Sequence, residues 1–157
     1  MRENHFGREE LASATTVFAS EERTVKFQDV DAAGTIFFPR VLEYFADTYG
    51  LLLASAGLDV PKMLRERSLA APLRHAEADF VVPLFFGDRV RVEIVAARVG
   101  NSSVTLGHRI LRLGAGGAAS DKLAAFGTTV HVFVDGQTMR PVALPEGLRA
   151  RLTPAAD

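Results

Sequence analysis

The sequence contains no cysteine. Disulfides, thiolate metal sites, iron–sulfur clusters and cysteine nucleophiles are therefore excluded. It also lacks an excess of either charge: 18 Lys and Arg stand against 19 Asp and Glu, a formal net charge of -1. That balance does not support an electrostatic grip on nucleic acid, although a local basic patch for a phosphorylated ligand remains compatible with it. No apolar run approaches the ~20 residues that span a bilayer, so no membrane partner is expected. The opening stretch MRENHFGREELASATT carries both signs of charge and no apolar core. A secretory signal is not expected there, and the expected location is the cytoplasm. No HxH or HExxH spacing occurs, so no metal is expected. No Ser lies in a G-x-S-x-G setting, and Gly114-Ala115-Gly116-Gly117 is not followed by the GK[ST] of a phosphate-binding loop.

What is present is one domain's worth of chain, 157 residues with 48% apolar and 24% charged residues. Those proportions are those of an ordinary globular domain. Residues 1–20 lack a sustained pattern and are expected to form a flexible or partner-docked tail. ERTVKFQD (22–29) alternates, with Val25 and Phe27 on one side, and reads as a half-buried strand. A loop of small residues follows. Pro39 then opens a helix in which Val41, Leu42, Phe45, Ala46, Tyr49, Leu52 and Leu53 keep helical spacing up to a stop at Gly57. Its apolar face is wide enough to be wrapped by other structure. A short helical connector over 59–68 precedes β-patterned segments at about 69–82, 88–99, 103–113 and 120–134, separated by marked turns. The last is apolar on both faces and should be interior to a sheet. One strand, a long helix and four strands predict an α+β fold with an antiparallel sheet around the helix. A single sheet covers such a helix on one side only, which predicts that subunits pair. The domain is expected over 21–145, with a C-terminal tail at 146–157.

The chemistry-bearing stretch is FQDVDAAGTIFFPRVLEYF, residues 27–45. It sets Asp29 and Asp31 after a strand and before a helix start at Phe38 and Pro39. A helix start offers unpaired N–H groups and a partial positive charge, which suit a developing oxyanion. A carboxylate upstream can face the same carbon as nucleophile or as general base on water. Gly34 allows close backbone approach to a ligand. The competing reading is that each Asp makes an Asx-turn or caps the helix, the commoner use of Asp in such loops. His75, His108 and His131 lie in strand segments, where a lone histidine is usually a hydrogen-bonded core or interface residue.

That same stretch resembles the signature of hotdog-fold acyl-CoA thioesterases of the 4-hydroxybenzoyl-CoA thioesterase family. The pattern is aromatic-x-D-x-D-x-x-G, two apolar positions, then the long helix. APLRHAEADFVVPLFFGDRVRVEI (71–94) is similar to the family's following strands, with their P-x-x-x-G-D turn, and the resemblance covers about 22–144. Within the family, DAAGTIFF followed by LAAPLRHAEADF is most similar to the 1,4-dihydroxy-2-naphthoyl-CoA hydrolases of menaquinone and phylloquinone biosynthesis. Phe38 stands where a group of short-chain thioesterases carries His, which separates the chain from that group.

The resemblance implies a hotdog fold and roles by position. Asp31 would be the catalytic carboxylate, and Asp29 would organise the loop. The Phe38 backbone N–H would polarise the thioester carbonyl. Gly34, Phe37, Ala71, Pro72, Leu73 and His75 would bind substrate. No cofactor is implied, since coenzyme A is part of the substrate. A homodimer or homotetramer is implied, with the site at a subunit interface. Acyl carrier protein as the acyl donor, or a non-catalytic acyl-binding module, are the alternatives. The Gly100–Ser103 turn lacks the basic residues with which some members hold the CoA phosphates.

Overall fold

Helix α2 (Pro39–Ser55) is the element around which the chain is organised. Pro39 sits at its first position, where the missing N–H costs nothing. Val41, Tyr44, Phe45, Thr48 and Leu52 recur at i, i+3, i+4, i+7 and i+11, and all are buried. The computed structural model describes residues 5–154. Over that span, β1 (Ala19–Thr24), β3 (Leu73–Phe80), β4 (Arg89–Val99), β5 (Ser103–Arg112) and β6 (Lys122–Val132) form one antiparallel sheet. Their order is β1-β4-β5-β6-β3. The fold is therefore α+β, a sheet curved around one long helix, as the pattern predicts. β6 lies between β5 and β3, in keeping with its two apolar faces.

Alternation decides which face each strand turns to α2. Val90 and Val92 of β4 and Ile110 of β5 pack with Val41, Tyr44 and Phe45 of α2. Ile94, Val104 and Leu106 pack with Leu52 and Leu53 toward the far end of the helix. Each such side chain fully removed from water contributes about 1.5–3 kcal/mol.

Several expectations are corrected. The segment expected as a tail at 1–20 is ordered structure from residue 5 onward, while residues 1–4 lie outside the described residues. It carries α1 (Arg8–Ser13) and docks on the outer sheet face, with Phe6 and Leu11 buried. Gly107 makes the space: a Cβ there would meet Leu11 Cδ2 at 2.5 Å. Arg109, in a buried pair with Glu93 at 2.7 Å, donates through Nη1 to the carbonyls of Leu11, Ala12 and Ala14. The C-terminal segment is likewise no tail. It forms α4 (Glu146–Leu152), which buries Leu148 and Leu152 in the far core cluster.

The first strand is shifted from 22–29 to Ala19–Thr24. Phe27 is 78% exposed instead of facing inward with Val25. The cause is Asp29, whose Oδ2 accepts from the Lys26 N–H at 2.9 Å and winds residues 27–29 into a 3-10 turn. The connector is α3 (Val60–Glu66), capped by Asp59. The segment at 69–82 is broken at Ala71-Pro72 into β2 (Leu69–Ala70) and β3. β2 pairs instead with β7 (Val134–Asp135), split from the end of β6. Pro72 cannot donate to a ladder, although its carbonyl accepts from the Val132 N–H at 3.1 Å. The helix is not wrapped all round within one chain: Leu42 is 39% and Leu51 45% exposed.

Candidate active site

The loop between β1 and α2 is built by backbone bonds within residues 26–40. The Asp31 N–H donates to the Thr35 carbonyl at 2.9 Å, and the Gly34 N–H donates to the Asp31 carbonyl at 3.0 Å. Gly34 takes φ +82°, a left-handed conformation that favours glycine. The returning arm is fixed by the Phe37 N–H donating to the Asp29 carbonyl at 2.7 Å and the Ile36 N–H to the Leu84 carbonyl at 2.8 Å.

Within this frame the two carboxylates have different settings. Asp29 is buried; its Oδ2 accepts from the Lys26 N–H and from the Tyr44 hydroxyl at 2.7 Å. Asp31 is exposed at the loop tip, and its Oδ1 accepts from the Ala33 N–H at 2.9 Å. That is an Asx-turn contact, and it leaves Oδ2 with no hydrogen bond to the described residues.

At the far end of the loop α2 begins. The Arg40 N–H turns back to the Phe37 carbonyl at 2.8 Å and the Val41 N–H to Phe38 at 3.2 Å. Pro39 has no N–H. Among the described residues the Phe38 N–H meets no acceptor, and it stands at the positive end of a 17-residue helix. The Phe38 ring is 66% exposed and packs against the 44% exposed Phe37 ring, with centroids 5.4 Å apart.

One helical turn further along, a cavity of about 220 Å³ opens between α2 and the β3 edge of the sheet. Phe45, Tyr49, Ala71, Leu73, Thr129 and His131 line it, together with Leu42. Leu42 is four residues beyond Phe38, about 6 Å of helix rise. Ala71 and Leu73, two of the residues expected to bind substrate, are on its wall. Pro72 is exposed beside them and does not line the cavity. His75 is not on its wall either: it is exposed on β3, with Nε2 3.3 Å from Glu77 Oε2. Asp31 and Gly34 sit at the loop tip and Phe37 and Phe38 at the helix start, and none of the four lines the cavity.

Residues the sequence reading did not single out for binding complete the cavity. Thr129 and His131, two apart on β6, turn to the same face. Thr129 Oγ1 lies 2.8 Å from His108 Nε2 and 3.2 Å from His131 Nε2. The His131 ring stacks on Tyr49 at 3.9 Å and the His108 ring on Phe45 at 4.5 Å. Burial pushes His131 down to about 4, offset slightly by the Ala71 carbonyl. Burial, with His131 beside it, pushes His108 down to about 3. Both are neutral imidazoles at pH 7. Burial also raises the Tyr49 phenol, which stays protonated.

An antiparallel sheet wrapped around one long helix is the hotdog arrangement. The thioesterase-like superfamily pattern matches residues 25–152, and the chain belongs to that superfamily. Among its relatives, the 1,4-dihydroxy-2-naphthoyl-CoA hydrolase of Thermosynechococcus vestitus is 31% identical over 136 residues, 87% of this chain and 89% of that one. That of Synechococcus elongatus is 28% identical over 137 residues, 87% of this chain and 96% of the relative. Among solved structures, a 1,4-dihydroxy-2-naphthoyl-CoA thioesterase from Synechocystis superposes with a TM-score of 0.75 at 26% identity. That match covers 85% of this chain and 94% of the other. A 4-hydroxybenzoyl-CoA thioesterase solved with 4-hydroxybenzoyl-CoA shares the fold, with a TM-score of 0.75 at 20% identity over 85% of this chain and 97% of that one.

Proposed function

We propose that the protein hydrolyses an aromatic acyl-CoA thioester, 1,4-dihydroxy-2-naphthoyl-CoA or a related aryl-CoA. The observation that carries this reading is the unpaired Phe38 N–H at the α2 start, reached from the Asp31 loop and followed by the cavity at Leu42–Tyr49. The names of the relatives support the choice of acyl group. An apolar cavity of ~150 Å³ takes up benzene. One of about 220 Å³ therefore suits a substituted ring or a compact bicycle.

In this mechanism the aryl group enters the cavity and the thioester carbonyl meets the Phe38 N–H. Charge developing on the carbonyl oxygen is held by that donor and by the helix dipole; removing one such donor typically costs about 10²–10³ in rate. Asp31 supplies the carboxylate. As nucleophile it forms a mixed anhydride and expels the CoA thiolate, and water then cleaves the anhydride. As general base it takes a proton from water, which attacks the carbonyl directly. Thiolate is a good leaving group, so a carboxylate and an N–H donor suffice. Gly34 and Phe37 shape the approach to Asp31, Ala71 and Leu73 hold the ring, and Pro72 and His75 stand at the outer rim.

The working form is a homodimer or homotetramer. Leu42 on α2 and Leu73 on the β3 edge line the cavity and are exposed, and a second subunit placed there closes it. Light scattering at micromolar concentration tests this; a monomer refutes it.

The deciding experiment is thiol release from 1,4-dihydroxy-2-naphthoyl-CoA, 4-hydroxybenzoyl-CoA, benzoyl-CoA and aliphatic CoA esters, with wild type and Asp31→Asn. Fast, Asp31-dependent turnover of an aryl ester is expected. Preference for aliphatic esters, or no turnover at all, overturns the reading.

A further inference from the structure

The Phe38 N–H has a direction as well as a place, and both depend on Arg40. In a planar trans peptide the N–H and the C=O point in opposite senses. The Phe38 N–H shares its peptide plane with the Phe37 carbonyl, which accepts from the Arg40 N–H at 2.8 Å. That bond turns the carbonyl toward α2 and therefore aims the Phe38 N–H away from the body of the helix. The other side of Phe37 is held too, since its N–H donates to the Asp29 carbonyl at 2.7 Å.

Arg40 also crosses the loop with its side chain. Nη2 donates to the Gln28 carbonyl at 3.2 Å, and Nε stands 3.8 Å from Asp29 Oδ1. Nη1 donates to Glu43 Oε2 at 2.6 Å, which anchors the guanidinium on α2. One residue thus bonds to both arms of the loop: through its main chain to Phe37, on the arm that enters the helix, and through its side chain to Gln28, on the arm that leaves β1. Asp31 lies between those arms. A cation in the first turn of a helix opposes the helix dipole, and the first turn of α2 holds no acidic residue to offset it. Local helix preference therefore does not account for an arginine here. The planar guanidinium fork reaches Gln28, Asp29 and Glu43 in one fixed geometry, which an ammonium on a flexible stem does not reproduce.

We propose that Arg40 is a positioning residue of the reaction: it fixes the spacing and the angle between the Asp31 loop and the Phe38 N–H, and it touches neither substrate nor reacting atoms. This rests on the reading of that N–H as the donor to the thioester carbonyl. A carboxylate and a donor that must meet one carbon from two arms of a loop depend on their separation. A displacement of about 1 Å in such a site costs about 10²-fold in rate.

The test measures kcat and KM separately for the aryl ester that wild type turns over fastest, in wild type, Arg40→Lys and Arg40→Met. Both variants should lose about tenfold or more in kcat with KM held within about twofold, the pattern of an interaction that matters only in the transition state. Arg40→Lys keeps the charge and loses the fork, so its failure to restore kcat separates geometry from charge. Hydrogen exchange on the same proteins should show the Phe37 and Arg40 amides exchanging about tenfold faster, with the β4 and β5 amides unchanged. The urea midpoint should stay near that of wild type, because a part-exposed ion pair contributes little to stability. Wild-type kcat in Arg40→Met overturns the proposal, and so does full rescue by Arg40→Lys. A raised KM at unchanged kcat makes Arg40 a substrate contact and overturns it too. Faster exchange throughout β4 and β5 makes the loss one of global stability, with the same consequence. No turnover of any ester by wild type overturns the reaction itself, whereas Asp31-dependent turnover that is indifferent to Arg40 overturns the positioning role alone.

Discussion

The Tyr44 hydroxyl donates to Asp29 Oδ2 at 2.7 Å and so ties the second turn of α2 to the loop that carries Asp31. Asp29 also accepts from the Lys26 N–H, and the Arg23 guanidinium lies 4.3 Å from the Tyr44 ring centroid. The loop is thus held from the helix side and from its own backbone. Tyr44→Phe keeps the ring and its contact with Arg23 but removes one bond to a buried carboxylate. The expected loss is about 1–3 kcal/mol of stability, read from urea unfolding, together with a lower kcat as the loop loosens. An unchanged midpoint and kcat would show that the bond is dispensable.

Asp31→Asn should behave differently. Asn retains an acceptor for the Ala33 N–H, so the Asx-turn survives and the unfolding midpoint should not move. The carboxylate chemistry is lost, and kcat should fall by about 10²–10⁴. A variant with near-wild-type kcat would remove Asp31 from the mechanism.

The buried Arg109–Glu93 pair carries the N-terminal segment. Arg109→Met leaves Glu93 buried without its partner and frees the carbonyls of Leu11, Ala12 and Ala14. A loss of about 3–5 kcal/mol is expected, with faster proteolysis near residues 8–16. Adding Glu93→Leu should restore part of the stability, since the uncompensated charge is then gone. Failure of the second substitution to help would argue that the carbonyl contacts dominate.

His108 and His131 set an acid limit on stability. Their folded pKa values, about 3 and about 4, lie below the ordinary 6.5, so the unfolded chain binds protons first as pH falls. Their contribution is complete above pH 6.5 and is lost progressively as pH drops toward their folded values. The slope is about 1.4 kcal/mol per pH unit for each histidine. Thermal unfolding from pH 7.5 to 4 should show Tm falling below pH 6.5. A flat profile across that window would mean that both rings take up protons as readily in the fold as in the unfolded chain.

The sequence determined α2 almost completely, because Pro39 and the 3.6-residue recurrence from Val41 to Leu53 are local signals. It also determined β4, β5 and β6 as β-patterned segments between marked turns, with β6 apolar on both faces, and the Asp-x-Asp-x-x-Gly loop through the residue types a tight turn before a helix requires. The tertiary structure decided what depends on neighbours distant in sequence. Residues 5–18 have no pattern of their own, and they are ordered because Gly107 leaves space for Leu11 and Arg109 collects three carbonyls. α4 is too short to persist alone and is held by the burial of Leu148 and Leu152. Phe27 follows the strand alternation in sequence, yet Asp29 winds the chain away before the strand can continue. The stack of Tyr49, His131, Thr129 and His108 brings together one helix and two strands. Single histidines in strands carry no sign of such a partnership, which exists only once the sheet has closed around the helix.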